Sequence, residues 1–198
     1  MARGPGTGVR VIAGSRRGRR LVVPAGDQVR PTKDMVREAM FSALEARGVI
    51  VDATVLDLYA GSGALAIETL SRGAARAVLV ERAPAALAAI NQNLDQLTLR
   101  ETARVAHGDV MSFLAAPPPP EAPFDLVLAD PPYDTSDAAA DALVASLVAP
   151  GWLANDPTIA LERPARAHTR PPNGFRACWE RTFGDTLVVF IDACDPSG

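Results

Sequence analysis

Four consecutive residues, Asp130-Pro131-Pro132-Tyr133, carry the densest chemistry in this 198-residue sequence. They follow the apolar run "FDLVLA", so an acid, a proline-fixed backbone and an aromatic ring meet where a buried strand should end. An exocyclic amine on a nucleobase needs such a grouping, because its lone pair is delocalised into the ring. The Asp130 carboxylate and the Pro131 carbonyl could each accept one N–H, letting the nitrogen turn tetrahedral as it attacks. Pro132 stiffens the turn, and Tyr133 could stack on a base taken out of its own stack.

The second group lies earlier, in "VLDLYAGSGALAIE". Gly61-Ser62-Gly63 between a strand pattern and a helix pattern is the glycine fingerprint of a nucleotide-type site. Glu81 ends the next strand, about 20 residues on, where an acid can hold the hydroxyls of a ribose. Asp109 ends the third strand and could accept from an adenine amino group. Tyr59, Ser62, Arg82 and Val110 flank these positions and are taken with them. Asp57 decides which ligand is expected. A buried carboxylate just before the glycines is badly placed for a pyrophosphate and well placed for a cation. S-adenosylmethionine (SAM) has no phosphate and carries a sulfonium and an ammonium, so it fits better than NAD. A phosphate-binding loop for ATP is excluded by pattern, because Lys33 is the sole lysine of the chain.

Strand and helix patterns alternate from residue 54: "TVLDLYA", "RAVLVE", "TARVAHGD", "FDLVLAD" and "PTIALER" as strands, with a helix pattern after each of the first four. That alternation predicts a parallel sheet covered by helices on both faces. The ending departs from it. "RACWERTF" and "TLVVFID" are separated by Gly184-Asp185 alone, too short for a crossover and right for an antiparallel hairpin. "LVVFI" is continuously apolar, which places this last strand inside the sheet. The expected fold class is therefore α/β and Rossmann-like: a mostly parallel seven-stranded sheet with an antiparallel C-terminal hairpin. An N-terminal extension, residues 1–50, precedes the domain of residues 51–198. It should contain a hairpin, Val9–Ala13 with Arg19–Val23, and a helix carrying Met35, Val36, Ala39, Met40 and Leu44 behind a Thr32 cap.

Charge separates the two parts. Residues 1–50 hold ten Arg or Lys and four acids, whereas the remainder holds ten basic and nineteen acidic groups. A basic end on an acidic body indicates a polyanionic partner. Arg10, Arg16, Arg17, Arg19, Arg20, Arg30 and Arg37 are the candidate contacts to it, with Arg30 and Arg37 equally suited to pairing within the fold. Composition is that of a globular protein, 48% hydrophobic and 22% charged. No run is long enough to span a membrane, and "MARGPGTGVRVIAG" lacks a signal-peptide core, so a cytoplasmic monomer with reduced Cys178 and Cys194 is expected. No metal-ligand spacing is present. His107 and His168 read as surface or structural residues, Trp152 and Trp179 as packing residues, and "AAPPPPEAP" as a stiff surface loop.

These motifs resemble a known family. "DLYAGSGALAIE", "VLVER", "GDV" and "DPPYD" are similar to the successive motifs of class I SAM-dependent amino-methyltransferases. "RVIAGSRRGRRL", "RPTKDMVREAMFSAL" and "LYAGSGALAIETLSRGA" resemble, more specifically, the bacterial 16S ribosomal RNA guanine-966 N2-methyltransferase family. The likeness runs from about Arg10 to Ile191. It implies that Gly61, Gly63, Glu81 and Asp109 hold SAM and that Asp130 to Tyr133 address the guanine amine. It also implies that the basic hairpin and the "RPT" segment grip RNA of the small ribosomal subunit, within the 30S particle or an assembly intermediate. A non-catalytic RNA-binding protein that kept the fold is disfavoured by the intact Asp130, and two other rival readings stand beside the resemblance. One is an amino-methyltransferase for adenine N6 or another RNA or DNA base, which the quartet cannot separate. The other is a Rossmann NAD-dependent oxidoreductase, which would leave Asp130 to Tyr133 idle.

Overall fold

The computed structural model describes residues 9–24 and 31–194. Seven strands alternate with helices in the order expected: β1 (Thr54–Leu58), α2 (Ala64–Ser71), β2 (Arg76–Glu81), α3 (Pro84–Leu97), β3 (Ala103–His107), α4 (Val110–Ala115), β4 (Phe124–Ala129), α5 (Asp137–Leu147), β5 (Leu153–Pro164), β6 (Phe175–Phe183) and β7 (Thr186–Ala193). Helix α1 (Pro31–Ala46) comes before them. The sheet order is β3-β2-β1-β4-β5-β7-β6, with β7 antiparallel between β5 and β6. Gly184, at φ 57°, makes the two-residue turn that joins β6 to β7. The interior position read from "LVVFI" is correct, since Val188 to Ile191 are buried.

Two cores flank the sheet, and the strand pleat sorts residues between them. Val55, Leu79, Leu128, Ala160 and Phe190 pack under α1, α2 and α3. Leu56, Val80, Val127, Leu161 and Val189 pack under α4, α5 and Trp152. Odd residues of β1 and even residues of β4 and β5 thus share the α1 side, which decides below where four carboxylates point. Sequence order reverses between β1 and β4, and at that switch point a doubly wound sheet opens a crevice at its carboxyl edge.

The N-terminal segment differs from expectation in detail. The hairpin pairs as expected only around Arg10 and Arg20, where Leu21 N–H donates to Val9 O at 2.8 Å and Val11 N–H to Arg19 O at 2.9 Å, and a 3₁₀ turn over Gly14–Arg16 lies between. Regular pairing stops because the segment's polar groups find partners on the helices instead. Ile12 and Ala13 donate to the buried Glu68 carboxylate at 2.7 and 2.9 Å, and Arg16 N–H donates to Ser71 Oγ at 2.9 Å. Gly14 sits so close to α2 that a Cβ would lie 1.8 Å from the Ser71 carbonyl oxygen, so no other residue fits. Helix α1 starts at Pro31, two residues earlier than expected, which puts Thr32 inside the first turn and not at the cap. Its buried stripe is Val36, Met40, Phe41 and Leu44, while Met35 is 55% exposed. Val11 and Leu21 join the core formed by α1 and the sheet.

Candidate active site

Strand β1 delivers the glycine loop. Its last buried residue, Leu58, is followed by Tyr59 in the left-handed region at φ 61°, a conformation that costs a non-glycine residue about 1 kcal/mol. That reversal swings the backbone of 60–63 across the sheet edge and sets Tyr59 against the cleft. Gly61 (φ 57°) and Gly63 (φ 77°) continue the turn. A Cβ on Gly63 would meet Leu79 Cδ2 at 3.0 Å and Ile90 Cγ1 at 3.4 Å, so this glycine permits the loop to settle on β2 and α3.

The predicted acids gather around this loop. Glu81, at the end of β2, accepts Gly61 N–H at 2.8 Å through Oε2, and Arg82 and Ala83 N–H at 2.7 and 2.8 Å through Oε1. It therefore holds the glycine loop and its own strand end in one geometry. Asp109 caps α4, accepting Ser112 N–H at 3.0 Å, with Arg82 3.7 Å away on the exposed rim. Asp57 is fully buried: one carboxylate oxygen accepts Ala66 N–H at 3.0 Å, and the other finds no hydrogen bond among the described residues. Burial pushes its carboxyl up to about 7, with Asp130 and Glu81 adding repulsion against the Ala66 N–H.

The cleft between β1 and β4 is about 970 Å³ and is lined by Tyr59, Glu81, Arg82, Asp109 and Val110 together with all of Asp130 to Tyr133. Tyr133 stands 63% exposed at the mouth, and Pro131 is buried. Ser62 and Gly61 line a smaller adjoining cavity of about 130 Å³ beneath the N-terminal segment. Tyr59 and Asp130 line both cavities, whereas Asp57 and Gly63 line neither.

The arginines divide. Arg10, Arg17, Arg19 and Arg20 are exposed; Arg16 Nε donates to Leu97 O at 3.0 Å, and Arg19 donates at the surface to Gln96 O at 3.3 Å. Those two guanidiniums meet the unpaired carbonyls at the end of α3, a helix-capping position. Arg37 is buried and donates to Arg10 O at 2.6 Å and Asp34 at 3.1 Å, so it ties α1 to the N-terminal segment and presents no guanidinium to a surface. Arg30 lies outside the described residues. His107 and His168 are exposed, as are the free thiols of Cys178 and Cys194, and Trp152 and Trp179 pack against aromatic neighbours.

Three site residues were missed from the sequence. Glu162 and Lys33 line both cavities. Glu162 follows Leu161, the partner of Ala129, so it stands beside Asp130 at the sheet edge. Asn93, fully buried on α3, donates to Ser62 O and Val22 O at 2.9 Å each and accepts Val22 N–H at 2.7 Å. It locks the glycine loop to the N-terminal segment.

The strand order, the glycine loop and the acids at successive strand ends define a class I SAM-dependent methyltransferase. A family model described as "Conserved hypothetical protein 95" matches residues 9–192, and the chain belongs to that family. "Ribosomal RNA small subunit methyltransferase D" of Escherichia coli strain K12 is 42% identical over 154 residues, covering 78% of this chain and 74% of that protein. The solved structure of yhhF from Escherichia coli superposes with a TM-score of 0.82 at 36% identity, covering 93% of this chain and 97% of the other. Magnesium protoporphyrin IX methyltransferase from Synechocystis PCC 6803, solved with bound SAH, shares the fold alone, with a TM-score of 0.63 at 16% identity over 82% of this chain and 84% of the other. The oxidoreductase reading falls with these results.

The residues present fit SAM. The unused Asp57 oxygen and the excess of carboxylate over cation in the cleft favour a positively charged ligand and oppose a pyrophosphate. Glu81 and Asp109 are the acceptors available to hydroxyl and amino groups. Among the described residues no helix is long and apolar enough to cross a membrane, and no cluster of His, Cys, Asp or Glu could hold a metal.

Proposed function

We propose that the protein methylates the exocyclic N2 amine of guanine 966 in 16S ribosomal RNA. The observation that carries this reading is the placement of Asp130 to Tyr133 after β4, in one cleft with Tyr59, Glu81 and Asp109 at the carboxyl ends of β1, β2 and β3. Similarity to the ribosomal RNA methyltransferase of Escherichia coli supports the RNA and the subunit.

SAM, when bound, supplies an electrophilic methyl group on a cationic sulfur. Asp57 stabilises positive charge beneath the glycine loop, and Glu81 and Asp109 orient hydroxyl and amino groups along the sheet edge. Asp130 and the Pro131 carbonyl each accept one N–H of the guanine amine, which frees the nitrogen lone pair from the ring. The proton shed as the amine becomes secondary passes to Asp130 or to solvent. Tyr133, exposed at the mouth, stacks on the extruded base and keeps water from the reacting face. Arg10, Arg17 and Arg20 contact phosphates and set the register of the RNA without reading bases. On this reading one chain suffices for the reaction and the protein works as a monomer. Its substrate is the RNA within a small subunit or an assembly intermediate.

Transfer of labelled methyl to small subunits lacking the modification, followed by nucleoside identification, tests the proposal. N2-methylguanosine is expected. N6-methyladenosine would assign the cleft to adenine, and no RNA product with SAM still bound would move the substrate elsewhere.

A further inference from the structure

Aspartate and proline at the end of β4 bind an amine, but an amine occurs on guanine, adenine and cytosine alike. The neighbouring strand carries what separates them. β4 and β5 run parallel with Ala129 opposite Leu161, so Asp130 and Glu162 are next in register. Alternation along both strands turns Leu128 and Ala160 to the α1 side, and Asp130 and Glu162 follow them there. Both acids line the large cleft and the smaller cavity behind it.

Guanine presents three N–H bonds on one edge, two from N2 and one from N1. Adenine presents its N6 amine beside an N1 that bears a lone pair. We infer that Glu162 is a specificity-determining acceptor for the guanine N1–H, completing with Asp130 and the Pro131 carbonyl three acceptors for three donors. The inference rests on the guanine reading above and names the residue that selects this base. An adenine in the same pose sets its N1 lone pair against the Glu162 carboxylate, and a site built to hydrogen-bond a donor rejects the analogue that lacks it.

The surroundings agree. Burial raises the Glu162 carboxyl well above the usual range, and repulsion from Asp130 on β4 and Asp57 on β1 adds to this, against the attraction of Lys33 and Arg37 on α1. Such a carboxyl holds its proton in the empty cleft, and a hydrogen bond accepted from the guanine N1–H favours its charged form.

The test compares guanine with 2-aminopurine at the target position of small subunits, 2-aminopurine keeping the amine but bearing a lone pair at N1. Wild-type protein should use guanine better, in kcat/KM, by roughly 10–100-fold. Glu162→Gln keeps size and shape but offers an N–H to the N1 lone pair, so it should narrow that ratio at least tenfold while SAM binding by calorimetry is retained. The loss of O6 in 2-aminopurine is common to both proteins and cancels in the comparison. An unchanged ratio overturns the inference, and so does equal use of the two bases by wild type, which needs no variant to fold. Loss of SAM binding in Glu162→Gln overturns it too, by moving Glu162 to the cofactor. Failure of wild type to methylate guanine at all would instead sink the proposed function.

Discussion

Replacing Asp57 by asparagine should make the ligand-free protein more stable at pH 8 and worse at binding SAM. A carboxyl whose pKa rises on folding binds more protons in the fold than in the unfolded chain between the two values. Stability is therefore complete below the unfolded value of 3.8 and is lost as pH rises to about 7. At 1.36 kcal/mol per unit, the full loss above that range is about 4 kcal/mol. The Asp57→Asn side chain has no charge to bury, and its carboxamide oxygen can still accept Ala66 N–H. Its amide hydrogens face a position where the described residues offer no partner, which costs about 1–3 kcal/mol. The net expectation is a gain of about 2 kcal/mol at pH 8, or roughly 4–8 °C in Tm for a domain of this size. At pH 5 most of the wild-type penalty is absent, and the two proteins should agree within about 1 kcal/mol. Urea and thermal unfolding at both pH values measure the gap, and calorimetry should show SAM binding weakened about 10–100-fold. A gap that is negative at pH 8, or the same at both pH values, would refute the argument that Asp57 is held charged at a cost for the sake of a cation.

Four further expectations follow from the same geometry. In wild type, SAM affinity should rise with pH up to about 7, by at most about tenfold per unit for one linked proton. Proton release measured in two buffers checks this, and a flat profile contradicts it. Glu68→Ala strips the acceptor from Ile12, Ala13 and Arg72. It should cost about 3 kcal/mol or more and speed amide exchange at Ile12 and Ala13; unaltered exchange would show that the segment is held by other contacts. Arg17→Ala with Arg20→Ala should lower the salt slope of RNA binding by about 2 without changing stability, whereas Arg16→Ala should destabilise by loosening the end of α3. A slope unchanged by the double variant would remove the phosphate role. Tyr133→Ala should weaken methyl transfer less than Asp130→Ala, and an equal loss would make the ring more than a stacking surface.

Local patterns account for what could be read from the sequence. The glycine loop, the acids at strand ends, the quartet after β4 and the two-residue turn at Gly184 are each contained within a few residues, and each stands where expected. The missed contacts join distant segments: Asn93 to Val22 and Ser62, Glu68 to Ile12 and Ala13, Glu162 to its place beside Asp130. No periodicity marks such residues, because an Asn or Glu on a helix or strand has the same local signature whether it faces solvent or a buried partner. Arginines show the limit from the other side. Composition revealed their charge, but Arg16, Arg19 and Arg37 spend it on backbone carbonyls and Asp34, leaving Arg17 and Arg20 among the free ends.

The most direct test of the account treats small subunits lacking the modification with wild type and with Asp130→Ala in parallel. Mass spectrometry then examines the RNA fragment that contains guanine 966. Wild type should add one methyl group to that guanine at N2. Asp130→Ala should bind SAM with wild-type affinity and add the methyl about 10³-fold more slowly. Equal rates from the two proteins, or a methyl group on a different atom, would contradict the role assigned to the quartet.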